Sequence, residues 1–211
     1  MNRLIVTLIG IALGGAVCCF FPLFHIVPLE RVTREKAAAT FDTQAFARKF
    51  WNEQLLPSLD QAVKAEGLLR AIQADAAAAR KKFSRSLGVS ESYTYFISGN
   101  GRVVAVSSEE ISLAVTEGAT KAEVSLLSGL LFGNAVRDGT GLLNVNDYPN
   151  SQDFNAISEA LNRIIEERVQ PQLRAEAKEG ATIRFVGCAE VNDETSDLHP
   201  LKVVPIQAVV E

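Results

Sequence analysis

The spacing of apolar residues divides the chain into an N-terminal apolar run, a helical part and a strand-rich part. Residues 4–29 contain no Lys, Arg, Asp or Glu. Because about 20 helical residues cross the hydrocarbon core of a bilayer, this run predicts a transmembrane helix. Arg3 precedes the run and the next basic residue is Arg31, which predicts a cytoplasmic N-terminus with the remaining chain outside. We therefore divide the chain into a membrane anchor or signal segment, 1–29, and one extracytoplasmic domain, 30–211.

After a polar connector over residues 30–43, apolar residues recur at helical spacing. Asp42 and Asp75 stand where helix N-caps are expected, ahead of helices near 43–56 and 76–87. Pro57 interrupts the first of these helices. A further helical stretch is predicted between Leu59 and Ile72.

From Tyr93 onward, apolar and polar residues alternate as in strands. Gly99-Asn100-Gly101 predicts a hairpin turn, and an amphipathic helix is predicted at 154–165. The predicted strands are 93–98, 102–107, 111–116, 122–127, 182–191 and 201–210. We therefore expect an α+β domain in which a helical segment precedes a small antiparallel barrel of the oligonucleotide/oligosaccharide-binding (OB) kind, with one long inserted helix.

The densest group of polar residues lies at 133–153. Asp138-Gly139-Thr140-Gly141 predicts a second hairpin, with Arg137 on one strand and Asp147 near the end of the other. Neighbours in a strand point to opposite faces, so Arg137 and Asp138 are not expected to pair. A buried Arg137 then needs a carboxylate from elsewhere, and Asp147 is one candidate. Two interpretations remain open, an ion pair that only stabilises the fold and a ligand site. The candidate ligand-binding residues are Arg137, Asp138, Asn146, Asp147 and Asn150.

Four segments resemble a family of uncharacterised bacterial proteins, the domain of unknown function 2291 family. The most specific is GNAVRDGTGLLNVNDYPNSQDF at residues 133–154. The others, in chain order, are HIVPLE at 25–30, FWNEQLLPSL at 50–59 and LKVVPIQAVV at 201–210. The resemblance implies a predicted periplasmic lipoprotein, often encoded near sugar transport systems. It implies location and fold more than chemistry, because the family has no agreed activity.

Two fates are open for the N-terminal run, a cleaved signal and a retained anchor. A lipidated cysteine follows a small residue, but Cys18 follows Val17 and Cys19 follows Cys18. Lipoproteins of the family place this cysteine near the IVP motif, where the chain has Phe24-His25. We therefore expect an uncleaved single-pass anchor, with cleavage or lipidation at Cys18 or Cys19 as the alternative.

Composition limits the classes of function. The formal net charge of −4 argues against nucleic acid and anionic lipid as main partners. The two histidines have no metal-ligand spacing, and Cys188, alone in the predicted strand 183–191, is expected to be a buried thiol. No nucleophile elbow, phosphate-binding loop or dinucleotide fingerprint occurs.

These observations predict an inner-membrane protein whose domain faces the periplasm and uses no cofactor. We expect an accessory or binding protein rather than an enzyme, and the resemblance suggests a sugar transport system as its partner. An interaction module without a ligand and an unrecognised hydrolase are the alternatives.

Overall fold

A computed structural model describes residues 41–86, 91–148 and 150–211. Within these ranges, no helix has both the length and the apolar character needed to cross a bilayer. The predicted span at 4–29, and with it the choice between anchor and lipidated cysteine, lies outside the described residues. From Asp42 onward the chain forms one compact unit.

Between residues 41 and 86, the chain forms three short helices ahead of the barrel, as the helical spacing predicts. They are α1 (Thr43–Phe50), α2 (Ala65–Ala74) and α3 (Ala76–Phe83). The Asp42 side chain accepts a hydrogen bond from the Ala45 N–H at 2.9 Å, and Asp75 accepts one from Ala78 at 3.0 Å, so both predicted caps are present. After α1 the chain continues through a π turn, Trp51–Leu55, and a 3₁₀ turn, Leu56–Gln61, that includes Pro57.

Five of the six strands in the described ranges close into a barrel. The strands are β1 (Val63–Lys64), β2 (Tyr93–Val106), β3 (Glu110–Ala114), β4 (Val124–Leu127), β5 (Thr182–Val191) and β6 (Leu201–Val210). In barrel order, β2 pairs with β3, β3 with β4, β4 with β6, β6 with β5 and β5 with β2. The two-residue strand β1 is not part of the barrel and pairs with β2 in parallel.

The barrel is mixed, so the prediction of a purely antiparallel sheet is wrong. Strands β4 and β6 run parallel, with Val124 beside Leu201. Strand β5 carries the chain back across the barrel and pairs antiparallel with β6, so β6 begins at the same end as β4 and lies between β4 and β5.

The predicted hairpin at Gly99-Asn100-Gly101 is also wrong, because all three residues lie inside the long strand β2. This strand pairs with β5 from Tyr93 to Arg102 and with β3 from Arg102 onward. A Cβ at Gly99 would lie 3.1 Å from the Cβ of Ala65, and one at Gly101 would lie 2.9 Å from that of Leu113. The glycines therefore permit close approach of neighbouring elements rather than a turn.

The inserted helical layer positions the site. It consists of α4 (Ala135–Gly139), α5 (Ser151–Arg168) and α6 (Gln170–Glu176), and a short helix, α7 (Glu194–Asp197), lies in the β5–β6 connection. The apolar face of α5 is buried and the helix packs against α1. Helix α4 contacts strands β2 and β5 on one side and α5 on the other. The polar segment of the sequence therefore lies between the barrel and its covering helix.

Candidate functional site

The segment 133–153 contains helix α4 and a 3₁₀ turn, Val145–Asp147, so the predicted hairpin is wrong. Gly133 and Gly141 have φ angles of +81° and +68°, and they bound α4 on either side. Gly139 lies within α4, where a Cβ would come 2.7 Å from the Cys188 sulfur. The glycine pattern thus reflects two helix boundaries and a close contact with β5.

Arg137 is buried, with 4% of its side chain exposed, and its guanidinium joins α4 to the first turn of α5. Its Nε and Nη2 donate hydrogen bonds to the two oxygens of Asp138 at 2.6 and 2.9 Å. Its Nη1 donates to the Phe154 carbonyl at 3.2 Å and to Asn155 Oδ1 at 3.0 Å, and the guanidinium lies 4.0 Å from the Phe154 ring centroid. The expectation that Arg137 and Asp138 do not pair is therefore wrong, because the backbone here is helical.

The other candidate residues lie apart from this pair. Asp147 is exposed and, in the described part of the chain, is not a partner of Arg137. Asn146 is exposed, and its N–H donates to Asn144 Oδ1 at 3.0 Å. Asn150 caps α5 by accepting from the Asp153 N–H at 2.8 Å. These three are turn and cap residues, because the chain never forms the returning strand that would bring Asp147 alongside Arg137.

Asn150→Ala is expected to lower the free energy of unfolding by about 1 kcal/mol, because one N–H in the first turn of α5 loses its acceptor. Chemical denaturation of the variant and the parent protein measures this. Asn146→Ala is the control and should change stability by less than about 0.5 kcal/mol, since its side chain is exposed. Equal losses in both variants would contradict the assignment of Asn150 as the cap.

A cleft of about 200 Å³ opens beside the Arg137–Asp138 pair. We call it the polar cleft, and it is lined by Arg85, Ser92, Tyr93, Thr94, Asn134, Arg137, Asp138 and Glu190. Glu190 is half-buried on β5 and accepts a hydrogen bond from the Asn134 N–H at 3.1 Å. Asp138 contributes a carboxylate that is 15% exposed. The cleft therefore offers hydrogen-bond donors and acceptors from three separate parts of the chain.

Arg85 supplies the exposed cation of the polar cleft. Its backbone pairs with Thr94 through two hydrogen bonds of 2.8 Å, which fixes it beside β2. Its side chain lies over Gly141, where a Cβ would overlap the guanidinium. Among the residues that the structure describes, no hydrogen bond or ion pair engages this guanidinium. Arg85 is thus available to a bound molecule, whereas Arg137 is already fully engaged.

Charges in the polar cleft balance, because two arginines face two carboxylates. Within the described ranges, no group of three or more His, Cys, Asp and Glu side chains stands close enough to hold a metal ion. The site is therefore suited to a polar molecule without a strong net charge.

Sequence reasoning identified Arg137 and Asp138 but missed Arg85, Asn134 and Glu190. Asn134 belongs to the polar segment 133–153 and precedes Arg137 by three residues, so the sequence does place it near the pair. Arg85 lies just before β2 and pairs with Thr94, whereas Glu190 lies on β5. Only the pairing of β5 with β2 brings these two residues together.

Cys188 packs against Gly139 of α4 and is fully buried, which confirms the predicted buried thiol. Burial raises the pKa of this thiol well above its ordinary range. We expect a thiol reagent to modify Cys188 only after denaturant unfolds the protein, because the thiolate is the reactive form. Peptide mapping by mass spectrometry measures the labelling, and rapid modification of the folded protein would contradict this assignment.

Comparison with known structures supports the barrel topology. The chain is similar to an OB-fold protein from Thermotoga maritima, whose crystal structure was determined at 1.90 Å, with a TM-score of 0.73 and 24% sequence identity. The match covers 82% of this chain and 99% of that one. At this identity the likeness shows the fold alone, and the fold is α+β with an OB-type barrel.

Comparison of sequences gives the family. No curated protein matches the chain. A family model described as a predicted periplasmic lipoprotein, DUF2291, matches residues 11–208. The chain therefore belongs to the DUF2291 family of predicted periplasmic lipoproteins.

Proposed function

We propose that this protein is a membrane-anchored periplasmic binding protein whose polar cleft holds a small, neutral, hydroxyl-rich molecule. The observation that carries the proposal is the unengaged Arg85 guanidinium in a cleft that also presents the Glu190 and Asp138 carboxylates. Guanidinium and carboxylate groups together donate to and accept from the hydroxyls of a sugar or polyol. Such a ligand fits the setting of sugar uptake, in which the protein acts as an accessory component.

The size and charge of the polar cleft narrow the class of ligand. Its volume of about 200 Å³ is below the ~300–1,000 Å³ of pockets for drug-sized ligands, so it suits one sugar ring or a short polyol. A phosphorylated sugar fits less well, because two carboxylates line the same small space as Arg85 and would repel the phosphate.

The arrangement of the carboxylates favours binding over hydrolysis. Both oxygens of Asp138 accept hydrogen bonds from Arg137, and Glu190 accepts one from Asn134. Glycoside hydrolysis uses one carboxyl group as an acid and a second as a base or nucleophile. Asp138 is already committed on both of its oxygens, so this pair is poorly suited to those roles.

Calorimetric titration with D-glucose, D-ribose and myo-inositol as separate probes tests the proposal. We expect at least one probe to bind, and Arg85→Ala and Glu190→Gln each to weaken its binding about tenfold or more, because a hydrogen bond to a charged group is lost. Glu179→Gln is the matched control, since Glu179 is exposed and does not line the cleft. Absence of binding by all three probes, or equal binding by all variants, would contradict the proposal.

The proposed attachment to the membrane is the uncleaved apolar run at 4–29. This proposal rests on the length of the apolar run and on the residues before Cys18 and Cys19, which are not the small residues that precede a lipidated cysteine. Mass spectrometry of the protein extracted from membranes should find Met1 or Asn2 at the N-terminus. A mature chain that begins at a lipid-modified Cys18 or Cys19 would replace the helical anchor by a lipid anchor.

A further inference from the structure

Another cleft, of about 340 Å³, opens on the barrel where β2 stops pairing with β5 and begins to pair with β3. We call it the threonine cleft, and it is lined among others by Asn100, Arg102, Thr116, Ala119, Thr120 and Thr182. Its described lining includes no residue of the polar cleft. The two clefts are therefore separate sites.

The register of the sheet places three of these side chains together. Asn100 and Arg102 are exposed and alternate with the buried residues Gly101 and Val103, so both project from the outer face of β2. Thr182 lies directly opposite Arg102 on β5. Residues in this relation have Cβ atoms ~4.5–5.5 Å apart. An amide, a guanidinium and a hydroxyl therefore line one part of the threonine cleft.

The loop after β3 holds Arg102 in place. Its Nη2 donates a hydrogen bond to the Ala119 carbonyl at 2.9 Å. The loop turns at Gly118, whose φ angle is +79°, and the Ala119 N–H donates to the Thr116 carbonyl at 3.1 Å. A guanidinium carries several N–H groups, and in the described part of the chain only this one bond engages that of Arg102. Its remaining donors are available to a bound molecule.

Neutral hydrogen-bonding groups accompany the Arg102 guanidinium. The hydroxyls of Thr120 and Thr182 and the amide of Asn100 form no hydrogen bond within the described ranges. Thr116 differs, because its hydroxyl donates to Glu123 Oε1 at 2.6 Å. The first three side chains are therefore free to contact a ligand.

Aspartate and glutamate are absent from the described residues that line the threonine cleft. Glu117, in the same loop, is exposed to solvent and does not belong to the lining. The Glu123 carboxylate accepts hydrogen bonds from two N–H groups and the Thr116 hydroxyl, so it is already engaged. The polar cleft, in contrast, balances two arginines with two carboxylates. The threonine cleft is therefore the better place for an anion.

We propose that the threonine cleft binds the oxyanion group, phosphate or carboxylate, of a small polar acid such as a sugar phosphate or a sugar acid. A guanidinium matches two oxygens of either group with two parallel hydrogen bonds. Asn100, Thr120 and Thr182 donate to the same group or bind hydroxyls of the ligand. The volume of about 340 Å³ falls within the ~300–1,000 Å³ of small-molecule pockets. This proposal goes beyond the neutral ligand of the polar cleft and does not rest on it.

Amide NMR titration of the ¹⁵N-labelled full chain in neutral detergent micelles tests the proposal. The probes are D-glucose 6-phosphate, D-glucuronate and, as the uncharged control, D-glucose, each at about 0.15 M salt so that distant charges are screened. We expect saturable shifts at Asn100, Gly118, Thr120 and Thr182 with at least one of the two acids, and none there with D-glucose. Binding of the phosphate alone identifies a phosphate site, and binding of the glucuronate alone identifies a carboxylate site.

Matched substitutions separate a specific contact from a general effect of charge. Arg102→Gln should weaken binding of the acid about tenfold or more, because a charged hydrogen-bond donor is lost. Arg163→Gln removes the same charge from an exposed position on α5 outside the cleft, so affinity should change by less than about twofold. Thr120→Val changes an exposed loop position, keeps the charge, and should weaken binding about threefold or more.

The proposal is overturned if neither acid gives saturable shifts, if D-glucose gives the same shifts, or if binding survives Arg102→Gln unchanged. Equal weakening by Arg102→Gln and Arg163→Gln would also overturn it, as would acid-induced shifts confined to Thr94, Asn134 and Glu190 of the polar cleft. Shifts of those three residues with D-glucose concern only the proposed function. Failure at one cleft is therefore distinguishable from failure at the other.

Discussion

Replacing Arg137 with alanine is expected to lower the free energy of unfolding by about 3–5 kcal/mol. The change leaves the Asp138 carboxylate, only 15% exposed, without its cation, and removes the donor to the Phe154 carbonyl. It also opens a space against the Phe154 ring, which the guanidinium covers at 4.0 Å. Because domains are stable by ~5–15 kcal/mol, a thermal melt should show a large fall in the midpoint.

Two other substitutions distinguish how much of this stability depends on the burial of Arg137 and how much depends on its charge. Arg85→Ala removes an arginine from the same cleft, but Arg85 is exposed, so stability should change by less than about 0.5 kcal/mol. Arg137→Lys keeps a positive charge and loses the two-pronged contact with Asp138, so its loss should be intermediate. An unchanged melting midpoint for Arg137→Ala would overturn its structural role and favour the interpretation of Arg137 as part of an open ligand site.

Gly187→Ala is expected to destabilise the protein by about 3 kcal/mol. Gly187 lies at the register shift between β5 and β6. A Cβ there would overlap the carbonyl oxygen of Val204 and lie 2.6 Å from a methyl group of Val203. The clash involves backbone at the barrel wall, so a side-chain rotation cannot relieve it.

Gly67→Ala is the matched control for Gly187→Ala. Gly67 lies in α2 and a Cβ there would meet no atom within 4 Å. We expect this variant to gain about 0.5–1 kcal/mol, because alanine loses less backbone entropy than glycine in a helix. Urea denaturation measures both variants, and similar free energies of unfolding for the two would contradict the barrel geometry at Gly187.

The spacing of apolar residues predicts elements well where one face is buried. Helix α5 and strands β5 and β6 lie where the pattern places them, and Thr182–Val191 and Leu201–Val210 have the predicted bounds. Asp42 and Asp75 mark helix starts because a side-chain acceptor next to free N–H groups is a local interaction. Such features need no knowledge of the tertiary fold.

The two wrong hairpin predictions both arose at glycines, because glycine serves several different structural purposes. At Gly99 and Gly101 the missing side chain admits a neighbouring element, and at Gly139 it admits Cys188. At Gly133 and Gly141, by contrast, a positive φ marks a change of direction at the ends of α4. A local pattern cannot separate these cases, since the neighbour that requires the glycine is distant in sequence.

The candidate site also combines residues that the local sequence identifies with residues that only the tertiary fold brings in. Arg137 and Asp138 are recognisable as a charged pair among glycines, but their pairing follows from a helix that the hairpin signal concealed. Arg85 and Glu190 reach the polar cleft through the pairing of Arg85 with Thr94 and of β5 with β2. The half of the polar cleft that Arg85 and Glu190 form therefore depends on tertiary contacts that the spacing of apolar residues does not encode.

Amide chemical-shift mapping by NMR tests the binding role of the polar cleft most directly. The ¹⁵N-labelled protein is titrated with D-glucose, D-ribose and myo-inositol in turn, and the same series is repeated with Glu190→Gln. We predict saturable shifts at residues that line the polar cleft, above all Thr94, Asn134 and Glu190, and their loss in the variant. No saturable shift with any of the three probes, or shifts that lie elsewhere and persist in Glu190→Gln, would contradict this role.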